Sequence, residues 1–69
     1  MAKQTKRQRI EEKLAAYGYR LDYSTSKYNV WCRSRIEGYV FVGKSGGLRR
    51  GRTEHNSIPV DPQRWLGVS

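Results

Sequence analysis

The sequence predicts an α+β domain, with an N-terminal helix packed on a small antiparallel sheet of three or four strands and a short C-terminal helical turn. Three observations predict this class: apolar residues recur at helical spacing before residue 18, polar and apolar residues alternate after it, and an Asp-Pro pair stands near the C-terminus. The chain has 69 residues, enough for one domain with a small core. We predict a basic lead-in over residues 1–5 and one compact domain over residues 6–69.

The first predicted element is a helix over residues 6–17. Thr5 and Gln8 have the spacing of a capping box, in which the two residues satisfy free backbone amides reciprocally. Three apolar residues recur on one face of this helix: Ile10, Leu14 and Tyr17. Gly18 follows, and glycine commonly ends a helix because it accepts the left-handed conformation. We expect the apolar face to pack on the sheet.

Two strands with alternating side chains are predicted next. The apolar residues of the first strand are Tyr19, Leu21 and Tyr23. The second strand runs from residue 28 to residue 33 or 34, and one of its faces holds Tyr28, Val30 and Cys32. Its other face holds Asn29, Trp31 and Arg33. This pattern leaves open whether Trp31 is buried or exposed.

The most apolar run of the chain, residues 39–42, predicts the most buried strand. Together with Gly38, Gly43, Lys44 and Ser45, this run also matches the letters of a phosphate-binding P-loop. A P-loop would need the four central residues to curl around phosphate, whereas their side chains strongly favour a strand. We therefore predict a strand and then a glycine-containing loop over residues 43–47. The amides of this loop suit an anion and an ordinary turn equally well.

The C-terminal third is predicted to be less regular. Residues 48–53 form either a fourth short strand or a mobile basic segment, and Ile58 and Val60 return to the core. Asp61-Pro62 predicts the start of a short helix, because Asp caps helices well and Pro suits the first turn. That helix ends at Gly67 and docks two side chains on the sheet: Trp65 and Leu66.

Charge is the strongest signal for function. Fourteen Lys and Arg residues against six Asp and Glu residues give a net charge of +8, which attracts polyanions. We predict a small, basic, non-enzymatic nucleic-acid-binding protein, with DNA slightly favoured over RNA. It would contact phosphates through a Gly/Arg-rich loop: Lys44, Arg49, Arg50 and Arg52. The helix would extend this patch with Lys6, Arg9 and Lys13, and Trp31 is a candidate for stacking on an unpaired base. Contact with about four phosphates would give log K a slope of about −3.6 against log salt.

An alternative prediction is an accessory or inhibitor protein, of the kind that phages and mobile elements encode, that binds an acidic protein surface. Trp31 and the arginines would then anchor the interface. No membrane contact, small-molecule substrate, cofactor or metal is predicted. The chain has one cysteine, Cys32, and one histidine, His55, and neither is placed to build a zinc site or a nucleophile–base pair. Since neither a spanning segment nor a secretory signal is evident, we expect a cytoplasmic protein.

Overall fold

A computed structural model describes residues 4–68; residues 1–3 of the predicted lead-in, and residue 69, lie outside the described range. The elements in chain order are α1 (Lys6–Ala16), β1 (Arg20–Ser24), β2 (Tyr28–Cys32), β3 (Tyr39–Gly43), β4 (Leu48–Gly51), β5 (Ser57–Pro59) and α2 (Pro62–Leu66). The strands pair in sequence order, and every pair is antiparallel. The α+β class is confirmed, with five strands instead of three or four.

The strand that the sequence did not predict is β5. It has three residues, contains Pro59 and pairs with β4 at the edge of the sheet. Such a segment is too short to show alternation. Proline lacks an amide hydrogen, so it is tolerated in a strand only where no neighbouring strand needs a hydrogen bond from that position. The predicted return of Ile58 to the core is wrong, because this side chain on the edge strand is 68% exposed. Val60, just beyond the strand, packs against the core as predicted.

Helix α1 begins with the predicted capping box, in which the Thr5 hydroxyl accepts from the Gln8 amide and the Gln8 side chain accepts from the Thr5 amide. Its buried side chains are Ile10 and Leu14. Tyr17 does not belong to this stripe, contrary to the prediction, and it is 49% exposed. The reason is that the helix ends at Ala16, so Tyr17 is the C-cap and leaves the helical path before Gly18. Within residues 4–68, neither helix is long and apolar enough to cross a membrane.

The core lies between the two helices and one face of the sheet. Its buried residues come from both helices, from the segments that flank them and from the central strands: Ile10, Leu14, Tyr19, Val40, Val42, Leu48, Leu66 and Val68. Strand β3 is the most buried strand, as predicted: it is the middle strand of the five, Val40 and Val42 lie in the core, and Phe41 is buried on the other face.

Strand β1 differs from its predicted pattern. Leu21 pairs with Trp31 and Tyr23 pairs with Val30, so the register shifts between them. A bulge of this kind sends Leu21 and Tyr23 to opposite faces of the sheet, whereas strict alternation places them on one face. Both side chains are about half exposed, at 52% and 49%, because β1 is an edge strand.

The C-terminal helix forms as predicted. The Asp61 carboxylate accepts from the amide of Gln63, and Pro62 occupies the first turn. Gly67 ends the helix with φ of 72°, a left-handed conformation that glycine adopts without strain. Leu66 is buried and Trp65 packs against the core, so this single turn closes the helical layer.

Candidate functional site

The predicted Gly/Arg-rich loop is not a loop over most of its length. Residues 48–51 form β4, which lies between β3 and β5. Arg49 pairs with Phe41 and Arg50 pairs with Val40, so the two arginines point to opposite faces of the sheet. One face of the sheet therefore cannot present both side chains. Of the two alternatives predicted for this segment, the fourth short strand is confirmed over residues 48–51, and the single loop that presents both arginines together does not form there.

Arg49 is held at the edge of the sheet by Ser57. Its Nε donates to the Ser57 hydroxyl at 2.8 Å, and its Nη2 donates to the Ser57 carbonyl at 2.8 Å. The Ser57 hydroxyl in turn donates to the Glu54 carbonyl at 2.7 Å. These hydrogen bonds hold the guanidinium in position, and no carboxylate is among the acceptors they use.

Arg50 belongs to a stack of side chains on the helical face. Its guanidinium carbon lies 4.4 Å from the centroid of the Trp65 ring. The ring of Tyr19 meets that of Trp65 edge to face at 6.0 Å, and the guanidinium of Arg33 lies 4.8 Å over Tyr19. Arg50 therefore has a clear structural role, which is to join β4 to α2.

The far end of this stack contains an ion pair. Arg33 donates to both carboxylate oxygens of Glu37, at 3.0 and 2.7 Å. These hydrogen bonds hold the pKa of Glu37 below its ordinary value. Burial raises the pKa of the Tyr19 phenol, whose hydroxyl donates to Glu37 at 3.3 Å. This cluster connects the end of α1 to the β2–β3 connection.

The glycine-containing turn between β3 and β4 is a hairpin, so the P-loop interpretation is excluded by geometry: Tyr39–Gly43 is a strand and a second strand follows the turn. The amide of Gly43 donates to the Gly47 carbonyl at 2.8 Å, and the amide of Gly46 donates to the Gly43 carbonyl at 3.1 Å. These two amides are used inside the turn and are not offered to an anion.

Lys6 brings the start of α1 against this turn. Gly46 has φ of 93°, and a Cβ built on it would lie 2.8 Å from Cδ of Lys6. The aliphatic part of the lysine therefore crosses directly over the glycine. Long cationic side chains commonly pack their stem in this way and leave the charged end in water.

An open cleft of about 800 Å³ surrounds the hairpin turn, and its lining includes four cationic side chains: Lys6, Lys27, Lys44 and Arg49. We call these four residues and the turn over residues 43–47 the basic cleft. Among the described residues that line it there is no carboxylate. The cations come from four separate segments, namely α1, the β1–β2 turn, the β3–β4 turn and β4.

Lys27 is a member of the basic cleft that sequence reasoning missed. It lies in a polar turn with no local pattern to distinguish it. Because Tyr28 pairs with Gly43, the residue before Tyr28 stands beside the residue after Gly43, which is Lys44. The position of Lys27 in the cleft thus depends on the register of β2 on β3, which the local sequence does not specify.

Of the eight predicted site residues, the structure brings three together in the basic cleft: Lys6, Lys44 and Arg49. Arg52 is exposed beyond the opposite end of β4. Arg9 and Lys13 are exposed on α1 and do not line the cleft. Arg50 is stacked on Trp65, as described above.

The remaining predicted site residue, Trp31, lies on the helical face opposite Val40 and is half-buried. Its indole Nε1 donates to the Glu11 carboxylate at 2.8 Å, and Asn29 donates to the same oxygen at 2.9 Å. A second cleft of about 660 Å³ at this place also has Glu12 in its lining. Two carboxylates beside Trp31 disfavour a phosphate chain there.

No group of three or more His, Cys, Asp or Glu side chains suited to a metal ion occurs in the described part of the chain. No protein-family model, curated protein or solved structure shows significant similarity to this chain.

Proposed function

We propose that this chain is a non-enzymatic nucleic-acid-binding protein whose basic cleft holds the phosphates of the nucleic acid. One observation carries the proposal: four cations from four segments converge on one cleft that no carboxylate lines. The net charge of +8 adds a field that attracts the same class of ligand over a longer distance.

The physical basis is the repulsion among the cleft's own charges. Like charges that share a cleft raise the free energy of the unbound protein, and bound phosphates reverse the sign of this interaction. Phosphates that pair with Lys and Arg also release condensed counterions, which makes binding stronger at low salt. Arg49 supplies a cation whose side chain is already ordered by Ser57, so it loses little further freedom on binding.

The phosphate group is common to DNA and RNA, and the cleft offers lysines and an arginine that would bind it in either. The slight preference for DNA therefore remains a prediction. With about four phosphates neutralised, log K would change with log salt by about −3.6 for a duplex and about −2.8 for a single strand.

The test is a fluorescence-anisotropy titration of labelled DNA and RNA, each as a single strand and as a duplex, between about 50 and about 200 mM salt. The informative variant is Lys27→Gln with Lys44→Gln, which removes two charges from the cleft. The matched control is Lys13→Gln with Arg35→Gln, which removes two exposed charges outside it. We expect the cleft variant to bind nucleic acid more weakly, with a slope of log K against log salt that is shallower by about 2. The affinity and the slope of the control should change much less.

Two results would overturn the proposal. One is wild-type protein that binds none of the four nucleic acids at the lower salt concentration. The other is an equal loss of affinity in the cleft variant and the control, since the net charge alone would then explain binding.

The alternative function, in which the protein binds an acidic surface of another protein, depends on the same net charge. Two of the anchors predicted for it are engaged inside the domain: Trp31 by Glu11 and Arg50 by Trp65. Capture from a lysate after nuclease treatment separates the two hypotheses. A stoichiometric acidic protein that stays bound without nucleic acid, and whose capture is lost in the cleft variant, would favour the alternative.

A further inference from the structure

The face of the sheet that the helices leave open carries aromatic side chains. Val40 and Val42 lie in the core beneath α1 and α2, so the alternate residues of β3, Tyr39 and Phe41, lie on the opposite face. The strand registers place two more aromatic side chains on that face: Tyr23, opposite Val30, and Tyr28, opposite Gly43. Both helices pack into the core on the other side, so neither covers these rings.

The tyrosines of this face cover an apolar layer and remain accessible. Phe41 is only 2% exposed, whereas Tyr23 is 49% exposed and Tyr28 and Tyr39 are half-buried. The rings of Tyr28 and Phe41 meet edge to face at 5.9 Å, and those of Tyr23 and Tyr39 meet in the same way at 6.5 Å. We call Tyr23, Tyr28 and Tyr39 the aromatic face.

The aromatic face is continuous with the basic cleft. Tyr28 belongs to both, because its ring packs on Phe41 and the residue also lines the cleft. Arg49 lines the cleft and pairs with Phe41 on β4. From the Tyr28–Gly43 pair to Tyr39 the face extends four residues along β3, about 13 Å at the rise of a β-strand. A chain bound at the cleft therefore has aromatic rings along its path.

We propose that the aromatic face binds the unpaired bases of a single-stranded nucleic acid whose phosphates occupy the basic cleft. This inference rests on the proposed function and specifies its ligand. Unpaired bases have free faces that stack on aromatic side chains, whereas the bases of a duplex are already stacked and present only their edges. Tyrosine suits this use because its ring is apolar and its hydroxyl remains hydrated when the ligand is absent.

Charge complementarity selects this occupant over an apolar protein surface. The cleft that continues the face contains Lys27, Lys44 and Arg49, and a purely apolar partner would leave these cations without a counter-charge. A single-stranded nucleic acid has both an anionic backbone for the basic cleft and flat bases for the aromatic face. Single-stranded DNA and single-stranded RNA share this chemistry, and separate titrations distinguish them.

The test uses the whole chain and the variant Tyr23→Leu with Tyr39→Leu, which keeps an apolar cover and removes two rings. The control is Tyr17→Leu, which removes a tyrosine of equal exposure, 49%, from the end of α1. The probes are oligothymidine and oligouridine of about 12 nucleotides, within the site size of small single-strand-binding folds, and a duplex of the same length. We expect the double variant to lose at least about tenfold in affinity for the single strands and to keep its affinity for the duplex.

The two proposals fail in different ways. If the Lys27 and Lys44 variant loses affinity while the tyrosine variant binds single strands as tightly as wild type, the basic cleft stands and the aromatic face is overturned. If the tyrosine variant loses the same affinity for the single strand as for the duplex, the aromatic face is also overturned. Wild-type protein that binds no nucleic acid overturns the proposed function as well.

A second measurement tests the inference on the wild-type protein, in case the tyrosine variant does not fold. Single strands that contain 5-iodouracil are cross-linked to the wild-type protein by ultraviolet light, and the linked peptides are identified by mass spectrometry. Cross-links at Tyr23, Tyr28 or Tyr39 are the expected result. Cross-links confined to residues outside the aromatic face would overturn the inference.

Discussion

The guanidinium of Arg50 stacks over the ring of Trp65, with its central carbon 4.4 Å from the ring centroid. This contact joins a residue of β4 to a residue of the final helix. A cation over an aromatic ring contributes free energy in proportion to how far water is excluded, and both side chains here are partly buried. Arg50 therefore contributes to the stability of the domain by joining β4 to α2.

The first prediction follows from this contact. Arg50→Gln should lower the free energy of unfolding by about 1 kcal/mol, measured by urea denaturation and far-UV circular dichroism, because the cation over Trp65 is lost. Arg52→Gln removes the same charge from an exposed position, and its effect should stay within about 0.5 kcal/mol. Equal stability of the two variants would contradict the structural role of Arg50.

The second prediction concerns Glu11, which fixes α1 on β2. One of its oxygens accepts from both Trp31 and Asn29, so Glu11→Ala leaves two partly buried donors without an acceptor. We expect a loss of about 2 kcal/mol in the free energy of unfolding and a change in tryptophan fluorescence of the folded protein.

The control for that prediction is Glu12→Ala, one position along the helix, where the side chain is exposed. This variant should change stability by less than about 0.5 kcal/mol. A fluorescence spectrum of Glu11→Ala identical to that of wild type would contradict the contact with Trp31.

The third prediction tests the hairpin turn. Gly46→Ala places a Cβ at a φ of 93° and 2.8 Å from Cδ of Lys6, so it should destabilise the domain by about 1–2 kcal/mol and displace Lys6 from the basic cleft. Gly47→Ala is a neighbouring control with no heavy atom within 4 Å of the added Cβ, and it should be close to neutral. Thermal melting compares the two, and equal melting temperatures would contradict both the left-handed conformation of Gly46 and its contact with Lys6.

The fourth prediction is a dependence of stability on pH. Arg33 lowers the pKa of Glu37 in the folded chain. The Glu37 carboxylate therefore binds a proton more tightly in the unfolded chain than in the folded chain. The ion pair therefore contributes its full stability above the ordinary pKa of 4.5, and this contribution is lost as the pH falls through the lower folded-state value. Arg50 and Tyr19 also face Glu37 and favour its ionised form in the same direction.

The measurement is urea denaturation at a series of pH values from neutral to acid. Glu37→Gln should be less stable than wild type near pH 7, and the difference should shrink as the pH falls below about 4.5. Glu54→Gln, at an exposed loop position, serves as the control and should follow the wild-type profile. A difference between Glu37→Gln and wild type that is constant with pH would contradict the ion pair.

The N-caps, the end of α2 at Gly67 and the buried strand were predictable because neighbouring residues determine them. The capping box at Thr5 requires only the residue three positions later, and Asp61-Pro62 needs only the next turn of chain. Residues 39–42 are apolar on both faces, and only a central strand can bury both.

The positions of individual side chains in the candidate site were less predictable. A one-residue bulge in β1 reversed the face of Tyr23 relative to Leu21, and no residue pattern marked it. Lys27 entered the basic cleft through the register of β2 on β3. The sequence grouped Arg49 and Arg50 with Arg52 by their proximity in the chain, whereas strand pairing sent them to different surroundings.

By itself, the sequence determined a basic α+β domain with two capped helices and one largely buried strand. These features depend on composition and on contacts within a few residues. Only the tertiary structure decided which charges share a surface: Arg49 is tied to Ser57, Arg50 to Trp65, and Lys6, Lys27 and Lys44 meet at the hairpin turn. The physical reason is that side chains alternate in direction along a strand while registers bring distant segments together, so neighbours in space are not neighbours in the chain.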